Sequence, residues 1–270
     1  MIIGIDIGST TTKAVTIENG KLVMKIKTRA SDAVTSATGA FGKMILENNI
    51  KMEAIEGIMI TGVGSSKIKN DIFGIPTKHV NEIRAVGTGG MFLSGLDDII
   101  ITNIGTGTVI IEANKDNIVH VGGSGVGGGT IFGLAKHLLP TAEFTGIMKL
   151  AENGNLNQVD LLLEDIMDTD ISFLVKETTA SNFGKMLDTA GTGDIALGII
   201  NMVYQVIGML SVFAARAKNK DTVIITGKGS SNHIGQKVLG TITAMYGIKF
   251  IYPENAEYTT AVGAGLLLAG

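Results

Sequence analysis

The apolar and polar positions at the start of the chain predict three consecutive β-strands, over residues 2–8, 12–18 and 21–28. Asn19-Gly20, between the second and third apolar runs, is the strongest short signal for a β-hairpin. The polar stretch Gly8-Ser9-Thr10 therefore lies in a turn between two antiparallel strands, and no helix-forming run follows it. Because the P-loop pattern is also absent from this stretch, the turn is of another kind.

The order of elements in this first part occurs a second time along the chain. In each part three strands are followed by alternating helices and strands, and a turn rich in glycine and threonine joins the first two strands. Two similar hairpins that arose by chance are the alternative to a repeat. The further predicted elements are a helix over 33–49, strands at 57–61, 77–80, 99–105, 109–113 and 118–121, a strand at 223–226, a helix near 231–246, a strand at 249–252 and a helix over 258–269.

Such a repeat predicts an α/β fold in which two mixed sheets, flanked by helices, lie on either side of a cleft. The strands at 2–8 and 99–105 should then be the equivalent central strands of the two sheets. We expect the first domain to span 1–95, with the C-terminal helix 258–270 packed back onto it, and the second domain to span 96–257. The two turns would face each other across the cleft, where sheets of this type bind ligands at their strand ends.

Composition narrows the class of protein. A formal net charge of −3 and a pI near 5.8 argue against nucleic-acid binding, which usually needs a basic surface. The absence of cysteine excludes disulfides, iron–sulfur clusters and thiolate zinc sites. The apolar stretch 195–217 is interrupted by Asn201, Gln205 and Ser211, which favours a core or interface helix over a membrane span. With no signal-peptide pattern at the start, we expect a cytoplasmic protein with no membrane or nucleic-acid partner.

The chemistry of the two turns suits a nucleoside triphosphate. Backbone N–H groups and hydroxyls donate to phosphate oxygens, and glycine lets the backbone approach them closely. Asp6, at the end of the first strand, would repel phosphates unless it holds Mg²⁺ directly or through water. Lys13 is placed to meet a phosphate as a point charge. The alternatives are a carboxylate that caps the turn and an exposed strand lysine, but the repeat favours the phosphate interpretation.

The densest glycine cluster, VGGSGVGGGT, spans Val121 to Thr130 and contains six glycines. Glycine loses much backbone entropy on folding, so the cluster itself favours neither a helix nor a strand. It opens an apolar helix, whose free N–H groups and dipole would form an anion site. A flexible linker is the alternative, but a linker would not lie between a strand and an apolar helix.

Five motifs in this order carry a family resemblance: DIGSTTTK, NIGTGT, VGGSGVGGGT, TASNFGK and TGKGSS. Together they resemble type II pantothenate kinase, a branch of the actin-like, sugar-kinase-like ATPase superfamily, over nearly the whole chain. The resemblance implies duplicated ribonuclease H-like domains with mixed sheets around a nucleotide cleft. It also implies a homodimer that uses ATP and Mg²⁺ to phosphorylate pantothenate to 4′-phosphopantothenate, the first step of coenzyme A biosynthesis.

The resemblance implies Glu82 as the catalytic base, because the family has a glutamate after the last core strand of its first domain. A glutamate that starts a helix, favoured there by the helix dipole, is the alternative. The same resemblance implies an aromatic contact near the nucleotide and an adenosine-side turn after TGKG. The implied ATP-binding residues are Asp6 (also the metal ligand), Gly8, Ser9, Thr10, Lys13, Gly105, Thr106, Gly128, Gly129, Thr130, Phe132, Phe144, Ser230 and Ser231.

For the acceptor, the resemblance implies contacts from Thr106, Thr108 and Ala180. The family usually has arginine immediately before VGG, whereas this chain has His120. A neutral histidine donates one hydrogen bond and does not replace a fork of charged donors, although Arg84 offers a charge from another position. This departure leaves a kinase of another small alcohol as an alternative.

Two further alternatives belong to other functional classes. The ATPase activator of 2-hydroxyacyl-CoA dehydratases has a similar opening motif, but it needs cysteine ligands for a [4Fe–4S] cluster and this chain has none. A non-catalytic nucleotide switch resembling actin-like proteins is the other. The presence of Glu82 weighs against a switch, whereas His120 weighs slightly for it.

Overall fold

The computed structural model describes residues 1–167 and 176–268. The first of its two five-stranded sheets has the strand order β3-β2-β1-β4-β5, with β1 antiparallel to β2 and parallel to β4. Every residue of β1 is buried, as expected for a central strand that is covered on both faces. The strands are β1 (Ile2–Ile7), β2 (Thr11–Glu18), β3 (Lys21–Arg29), β4 (Gly57–Thr61) and β5 (Thr77–His79).

The second five-stranded sheet repeats this arrangement. Its strands are β6 (Asp98–Ile104), β7 (Thr108–Asn114), β8 (Ile118–Ser124), β11 (Thr222–Thr226) and β12 (Lys249–Ile251), while β9 (Leu161–Leu162) and β10 (Thr179–Ser181) form a separate pair. The strand order is β12-β11-β6-β7-β8, with β6 antiparallel to β7 and parallel to β11. The central strands β1 and β6 are therefore equivalent, and the predicted duplicated α/β fold is confirmed.

The helices cover both faces of each sheet. They are α1 (Ala33–Asn48), α2 (Glu82–Ser94), α3 (Gly128–Leu138), α4 (Phe144–Ala151), α5 (Thr192–Ala217), α6 (His233–Tyr246) and α7 (Thr259–Leu266). Between the sheets, α7 packs against β1, β2 and β4, whereas α2 packs against β6, β7 and β8. On the other faces, α1 packs on the first sheet and α5 packs on the second.

The helices α2 and α7 contact each other closely between the two sheets. A Cβ atom on Gly263 would lie 1.8 Å from the carbonyl oxygen of Ala85, and one on Gly89 would lie 2.0 Å from that of Thr259. Glycine is therefore required for this approach. Because α2 follows the first sheet in sequence but packs on the second, contacts between the two halves extend well beyond a single linker. The domain boundaries stay a prediction.

Helix α5 is long and apolar enough to cross a membrane by length and composition, but it is largely buried in the protein. Ile199, Val203 and Ile207 are fully buried in the core of the second sheet, next to residues of α3, α4 and α6. This burial explains why α5 is apolar on several faces. A partner chain is therefore not needed to explain the apolar faces of this helix, although Phe213 is 59% exposed.

The glycine cluster does not lie wholly outside regular structure, contrary to expectation. Strand β8 continues through Gly122 and Gly123, and α3 begins at Gly128. A Cβ atom on Gly123 would lie 2.5 Å from the carbonyl oxygen of Thr108 on the neighbouring strand β7. Close approach of neighbouring backbone, which requires a missing side chain, outweighs the entropic cost of ordering these glycines.

Candidate active site

A cavity of about 450 Å³ lies at the carboxyl ends of the two central strands. The turns after β1 and β6 line it, together with residues after β4 and β11 and the first turn of α3. Parallel strands bring their carboxyl ends to one edge of a sheet, and this edge is where open α/β sheets bind ligands. The cavity therefore lies where the repeat predicted a cleft.

The two sheets contribute matching residues to this cavity. Asp6 on β1 is paired with Thr61 on β4, and Asn103 on β6 is paired in the same way with Thr226 on β11. In each half a glycine with positive φ follows the threonine. The φ angle is +86° at Gly62, after Thr61, and +81° at Gly227, after Thr226. The repeat thus places a carboxylate in the first half where the second half has an amide.

The two turns meet through their hydroxyl groups. Ser9 Oγ and Thr106 Oγ1 lie 2.7 Å apart. Among the residues that the structure describes, no backbone or side-chain acceptor lies within hydrogen-bond reach of the amides of Ser9, Thr10, Thr106 and Gly107. All four residues line the cavity. Two facing sets of amide and hydroxyl donors are thus available for the oxygens of an anionic ligand.

The first turn of α3 has a different role from the predicted one. The amide of Gly128 donates to the carbonyl of Gly105 at 2.9 Å, and that of Gly129 donates to the carbonyl of Thr106 at 2.8 Å. The expectation of free helix N–H groups for an anion is therefore wrong at these positions. A Cβ atom on Gly129 would lie 2.7 Å from Thr106 Cγ2, so the glycines allow the helix to support the second turn.

The charged groups of the cavity come mainly from the first half. Asp6 is buried, and its Oδ2 atom lies 3.7 Å from Nζ of Lys13. Burial raises the pKa of Asp6, and the attraction of Lys13 only partly opposes this effect. At the positions paired across the second hairpin, Asn103 and Val109 carry no charge. The carboxylate and the lysine therefore lie on one side of the cavity.

Glu82 is the first residue of α2, where Asn81 caps the helix by accepting from the amide of Arg84 at 3.2 Å. Its side chain is exposed but lines the cavity. Reduced solvation in the cleft raises the pKa of Glu82, and the negative charge of Asp6 raises it further, against the opposing effect of Lys13. A carboxylate with a raised pKa holds a proton more readily than an isolated glutamate does.

Most of the predicted site residues lie together. The residues that line the cavity are Asp6, Gly8, Ser9, Thr10, Lys13, Glu82, Gly105, Thr106, Thr108, Gly128, Gly129, Phe132 and Phe144. Thr108 is buried, and its hydroxyl donates to the carbonyl of Val126 at 2.8 Å. It therefore holds the second hairpin against the loop that precedes α3.

Three residues predicted to contact the nucleotide do not line the cavity, and their hydroxyls bind backbone groups. Thr130 Oγ1 donates to the carbonyl of Gly125 and accepts from the amide of Gly127. Ser230 Oγ donates to the carbonyl of Gly227 at 2.7 Å. The hydroxyl of the exposed Ser231 donates to the carbonyl of Lys228 in the same turn. These groups shape the loops that surround the cavity rather than lining it.

The three residues predicted to serve the acceptor from outside the turns do not line the cavity either. His120 is exposed on β8, and Arg84 is exposed in the first turn of α2. Ala180 lies on β10, a short strand held by the buried carboxylate of Asp160, which accepts from Thr179 at 3.0 Å. This carboxylate also accepts from Asn201 on α5 at 2.8 Å, so it fixes the strand to the core of the second half.

Several lining residues were not predicted. Tyr204 of α5 donates its hydroxyl to the carbonyl of Gly229 at 2.6 Å and so supports the turn after β11. Lys228 in that turn lies with its Nζ atom 5.5 Å from the centre of the Phe132 ring. The remaining unpredicted lining residues are Thr11, Gly62, Val63, Asn103, Gly107, Val109, Ser124, Ile131, Gly227, Asn232 and Thr260. An alignment of the two halves of the sequence would have identified Asn103, Gly62 and Gly227, because they lie at equivalent positions of the repeat.

Gly62→Ala is expected to displace the Asp6 carboxylate, since a Cβ atom at Gly62 would lie 2.6 Å from Asp6 Oδ1. Gly95→Ala is the control for positive φ, which is +69° at Gly95, because in residues 1–167 and 176–268 no atom lies within 4 Å of the added methyl group. Gly95→Ala should lose about 1 kcal/mol of unfolding free energy from backbone strain, and Gly62→Ala should lose more, because its Cβ atom would also lie 2.8 Å from the carbonyl oxygen of Ile7. Only Gly62→Ala should also lose most of its activity, and equal activity in the two would contradict this placement of Asp6.

Comparison with known proteins identifies relatives along nearly the whole chain. The family model described as Fumble matches residues 97–266. A Bacillus cereus protein named type II pantothenate kinase is 30% identical over 97% of this chain and 96% of its own length. A Staphylococcus aureus protein of the same name is 28% identical over 98% of each chain.

Solved structures with the same fold bind adenine nucleotide analogues. The activator of 2-hydroxyisocaproyl-CoA dehydratase from Clostridium difficile, with bound ADPNP, has a TM-score of 0.71 at 18% identity, covering 98% of this chain and 93% of its own. A ROK family glucokinase from Streptomyces griseus, in complex with glucose and AMPPNP, has a TM-score of 0.62 at 14% identity, covering 100% and 99%. At these identities the likeness shows the fold, which is that of the actin-like and sugar-kinase-like ATPases.

Proposed function

This chain belongs to the type II pantothenate kinase family, and from this premise we propose that it transfers the γ-phosphoryl group of ATP to pantothenate. The product would be 4′-phosphopantothenate, formed in the first step of coenzyme A biosynthesis. The observation that carries the proposal is the cavity in which the two Gly/Thr turns, Asp6, Lys13 and Glu82 lie together. The protein is an ATP-dependent kinase, and the identity of its alcohol acceptor is the proposed part.

The residues of the cavity fit a magnesium-bound nucleotide. The amides of the two turns, which have no partner among the described residues, supply neutral donors for phosphate oxygens, and Lys13 supplies a positive charge. Among the described residues there is no cluster of three or more side chains that could hold a metal by themselves. Mg²⁺ suits such a site, because it binds through one or two carboxylates, substrate phosphates and water. Asp6 would hold it, and the bound ion would neutralise charge on the phosphate oxygens.

Glu82 would accept the hydroxyl proton of the acceptor during transfer. A general base contributes about 10²–10⁴-fold when it lies within hydrogen-bond reach of the proton. The raised pKa of Glu82 brings the carboxylate closer to the basicity that this task needs. The N-cap of α2 fixes the backbone from which the side chain extends into the cavity.

The two turns would hold the transferring group between the two halves of the protein. Ser9 and Thr106 meet at 2.7 Å, so the hydroxyls of the two turns bring the two halves into direct polar contact at the cavity. Positioning and charge neutralisation account for most of the catalysis in phosphoryl transfer. The packing of α3 against Gly105 and Thr106 keeps the second turn in place.

Two other functions are to be weighed against pantothenate phosphorylation. A dehydratase activator shares the fold, but this chain has no cysteine for a [4Fe–4S] cluster. A kinase of another small alcohol would use the same phosphate turns and the same base. The acceptor therefore has to be found by experiment.

An acceptor panel tests the proposal directly. We expect ADP release with Mg·ATP to depend on pantothenate and to be much slower with glucose, glycerol or other simple alcohols. Pantetheine, which shares the alcohol end of pantothenate, belongs in the same panel. Release that depends on a sugar and is unaffected by pantothenate would assign the kinase to another acceptor, and acceptor-independent release would favour a nucleotide switch.

We also propose a cytoplasmic homodimer. This proposal rests on the family resemblance alone, because α5 is buried within one chain and gives it no support. Analytical ultracentrifugation should give a mass of about twice the 28.1 kDa of one chain. A single species with the mass of one chain at micromolar concentration would contradict the dimer, and it would leave the proposed chemistry untouched.

A further inference from the structure

Lys228 is a charged residue of the cavity to which the sequence motifs gave no role. It follows Gly227 in the turn after β11 and lines the cavity. Its Nζ atom lies 5.5 Å from the centre of the Phe132 ring at the start of α3. A cation over an aromatic face gains about 0.5–1 kcal/mol at an exposed site, which orients the side chain but does not neutralise it.

The carboxylates near Lys228 are already paired with other cations. Glu257 lies 3.1 Å from Nζ of Lys27, and Glu143 lies 3.8 Å from the guanidinium of Arg29. The remaining cavity lysine, Lys13, is paired with Asp6. Within residues 1–167 and 176–268, no carboxylate oxygen lies within 4 Å of the Lys228 ammonium group.

The surroundings of Lys228 disfavour its positive charge. Partial burial is the main cause that lowers the pKa of Lys228, and repulsion from Lys27 and Lys13 lowers it further. The weaker attraction of Glu257 and Glu143 does not cancel these effects. A positive group that the protein partly desolvates and does not pair would gain from a bound anion, because the anion restores the missing counter-charge.

The residues that line the cavity together with Lys228 indicate which class of ligand it would bind. Phe132 and Phe144 offer aromatic surface, and Gly229 is held by the hydroxyl of Tyr204. The two Gly/Thr turns and Asp6 line the same cavity, and Lys13, which is paired with Asp6, is close enough to Lys228 for the two positive charges to repel each other. A ligand that joins a flat, apolar group to a highly anionic one matches these lining residues. Nucleoside di- and triphosphates are of this class.

We propose that the Lys228 ammonium group binds the polyphosphate of the nucleotide and makes the site prefer nucleoside di- and triphosphates over the uncharged nucleoside. The inference rests on the proposed nucleotide site and deepens it. Lys13 and Lys228 would then act from opposite halves of the protein on one anionic ligand. The acceptor alcohol has no part in this recognition.

Isothermal titration calorimetry without an acceptor tests the inference. For Lys228→Met, the dissociation constants of Mg·ADP and Mg·AMPPNP should rise by about 10-fold or more, as for loss of a charge-assisted hydrogen bond. The dissociation constant of adenosine should stay unchanged. Lys228→Arg should retain most of the affinity, and Lys136→Met, on the exposed part of α3, is the control for a lysine outside the cavity.

The unfolding temperature without ligand separates binding from folding. If Lys228→Met is poorly folded, Lys228→Gln replaces it in the same titrations. Unchanged ADP affinity in a folded variant would overturn the inference, and so would an equal loss for ADP and adenosine, which would make Lys228 a packing residue of the nucleoside. Because no acceptor is present, a protein that binds ADP but does not phosphorylate pantothenate would sink the proposed acceptor and leave Lys228 in its role.

Discussion

Replacement of Glu82 by glutamine should lower kcat for pantothenate by about 100-fold or more, the usual contribution of a general base. Glutamine keeps the size of the side chain and its place at the start of α2, but it cannot accept the hydroxyl proton. The affinity for Mg·ATP should stay close to that of the unchanged protein, because the phosphate turns are untouched. Steady-state kinetics, together with calorimetry using AMPPNP, measure the two quantities separately.

The pH dependence gives a second readout for Glu82. The base must be deprotonated to act, so kcat/KM should rise with pH through the pKa of Glu82 in the free enzyme. Since that pKa is raised above the ordinary glutamate value, the acidic limb should lie at higher pH than for an isolated glutamate. The limb should disappear in Glu82→Gln and persist in Glu53→Gln, an exposed control. Near-normal turnover in Glu82→Gln would remove Glu82 from this role.

Asp6→Asn is expected to lower kcat by about 100-fold or more and to raise the Mg²⁺ concentration needed for half-maximal rate, since metal charge contributes several kcal/mol. The amide is of equal size, so the packing around the buried side chain should be retained. Asn occupies the equivalent position, residue 103, in the second half, which shows that this strand geometry accommodates the amide. Activity measured against Mg²⁺ concentration checks the prediction.

Asp116→Asn, an exposed substitution in the turn between β7 and β8, is the control for Asp6→Asn and should keep its Mg²⁺ dependence. An Asp6→Asn variant whose half-maximal Mg²⁺ concentration is unchanged would show that the carboxylate does not hold the ion. A normal unfolding temperature in that variant would make the conclusion independent of stability.

The sheets could be predicted because their signals are local. The apolar runs of β1 and β6, and the Asn-Gly turn between β2 and β3, specify strands without reference to the rest of the chain. Comparison of the two halves then gives the equivalent central strands. The predicted ends of the elements differ from the observed ends by one or a few residues. The helix predicted over 258–269, for example, spans Thr259–Leu266 in the structure.

The role of the glycine cluster could not be predicted, since it depends on a contact between distant segments. The local sequence suggested free amides at the start of α3. In the structure, Gly128 and Gly129 donate to the turn at Gly105 and Thr106. A pattern of glycines shows that backbone must approach something closely, but it does not show whether the neighbour is ligand or protein.

The missed residues divide into two kinds. Asn103 lies at the position equivalent to Asp6, so alignment of the halves would have found it. Tyr204 is contributed by the middle of a core helix, where nothing in the local sequence separates it from a packing residue. Lys228 is part of a recognised motif, but that no carboxylate among the described residues pairs with it is visible only in three dimensions.

The most direct test of the account is the product that the purified protein forms from pantothenate and Mg·ATP labelled in the γ-phosphate. We expect mass spectrometry to find 4′-phosphopantothenate that carries the label, in amounts equal to the ADP released, with both products formed about 100-fold more slowly, or slower still, in Glu82→Gln. Release of ADP with the label in inorganic phosphate or on another acceptor, and none on pantothenate, would contradict the account.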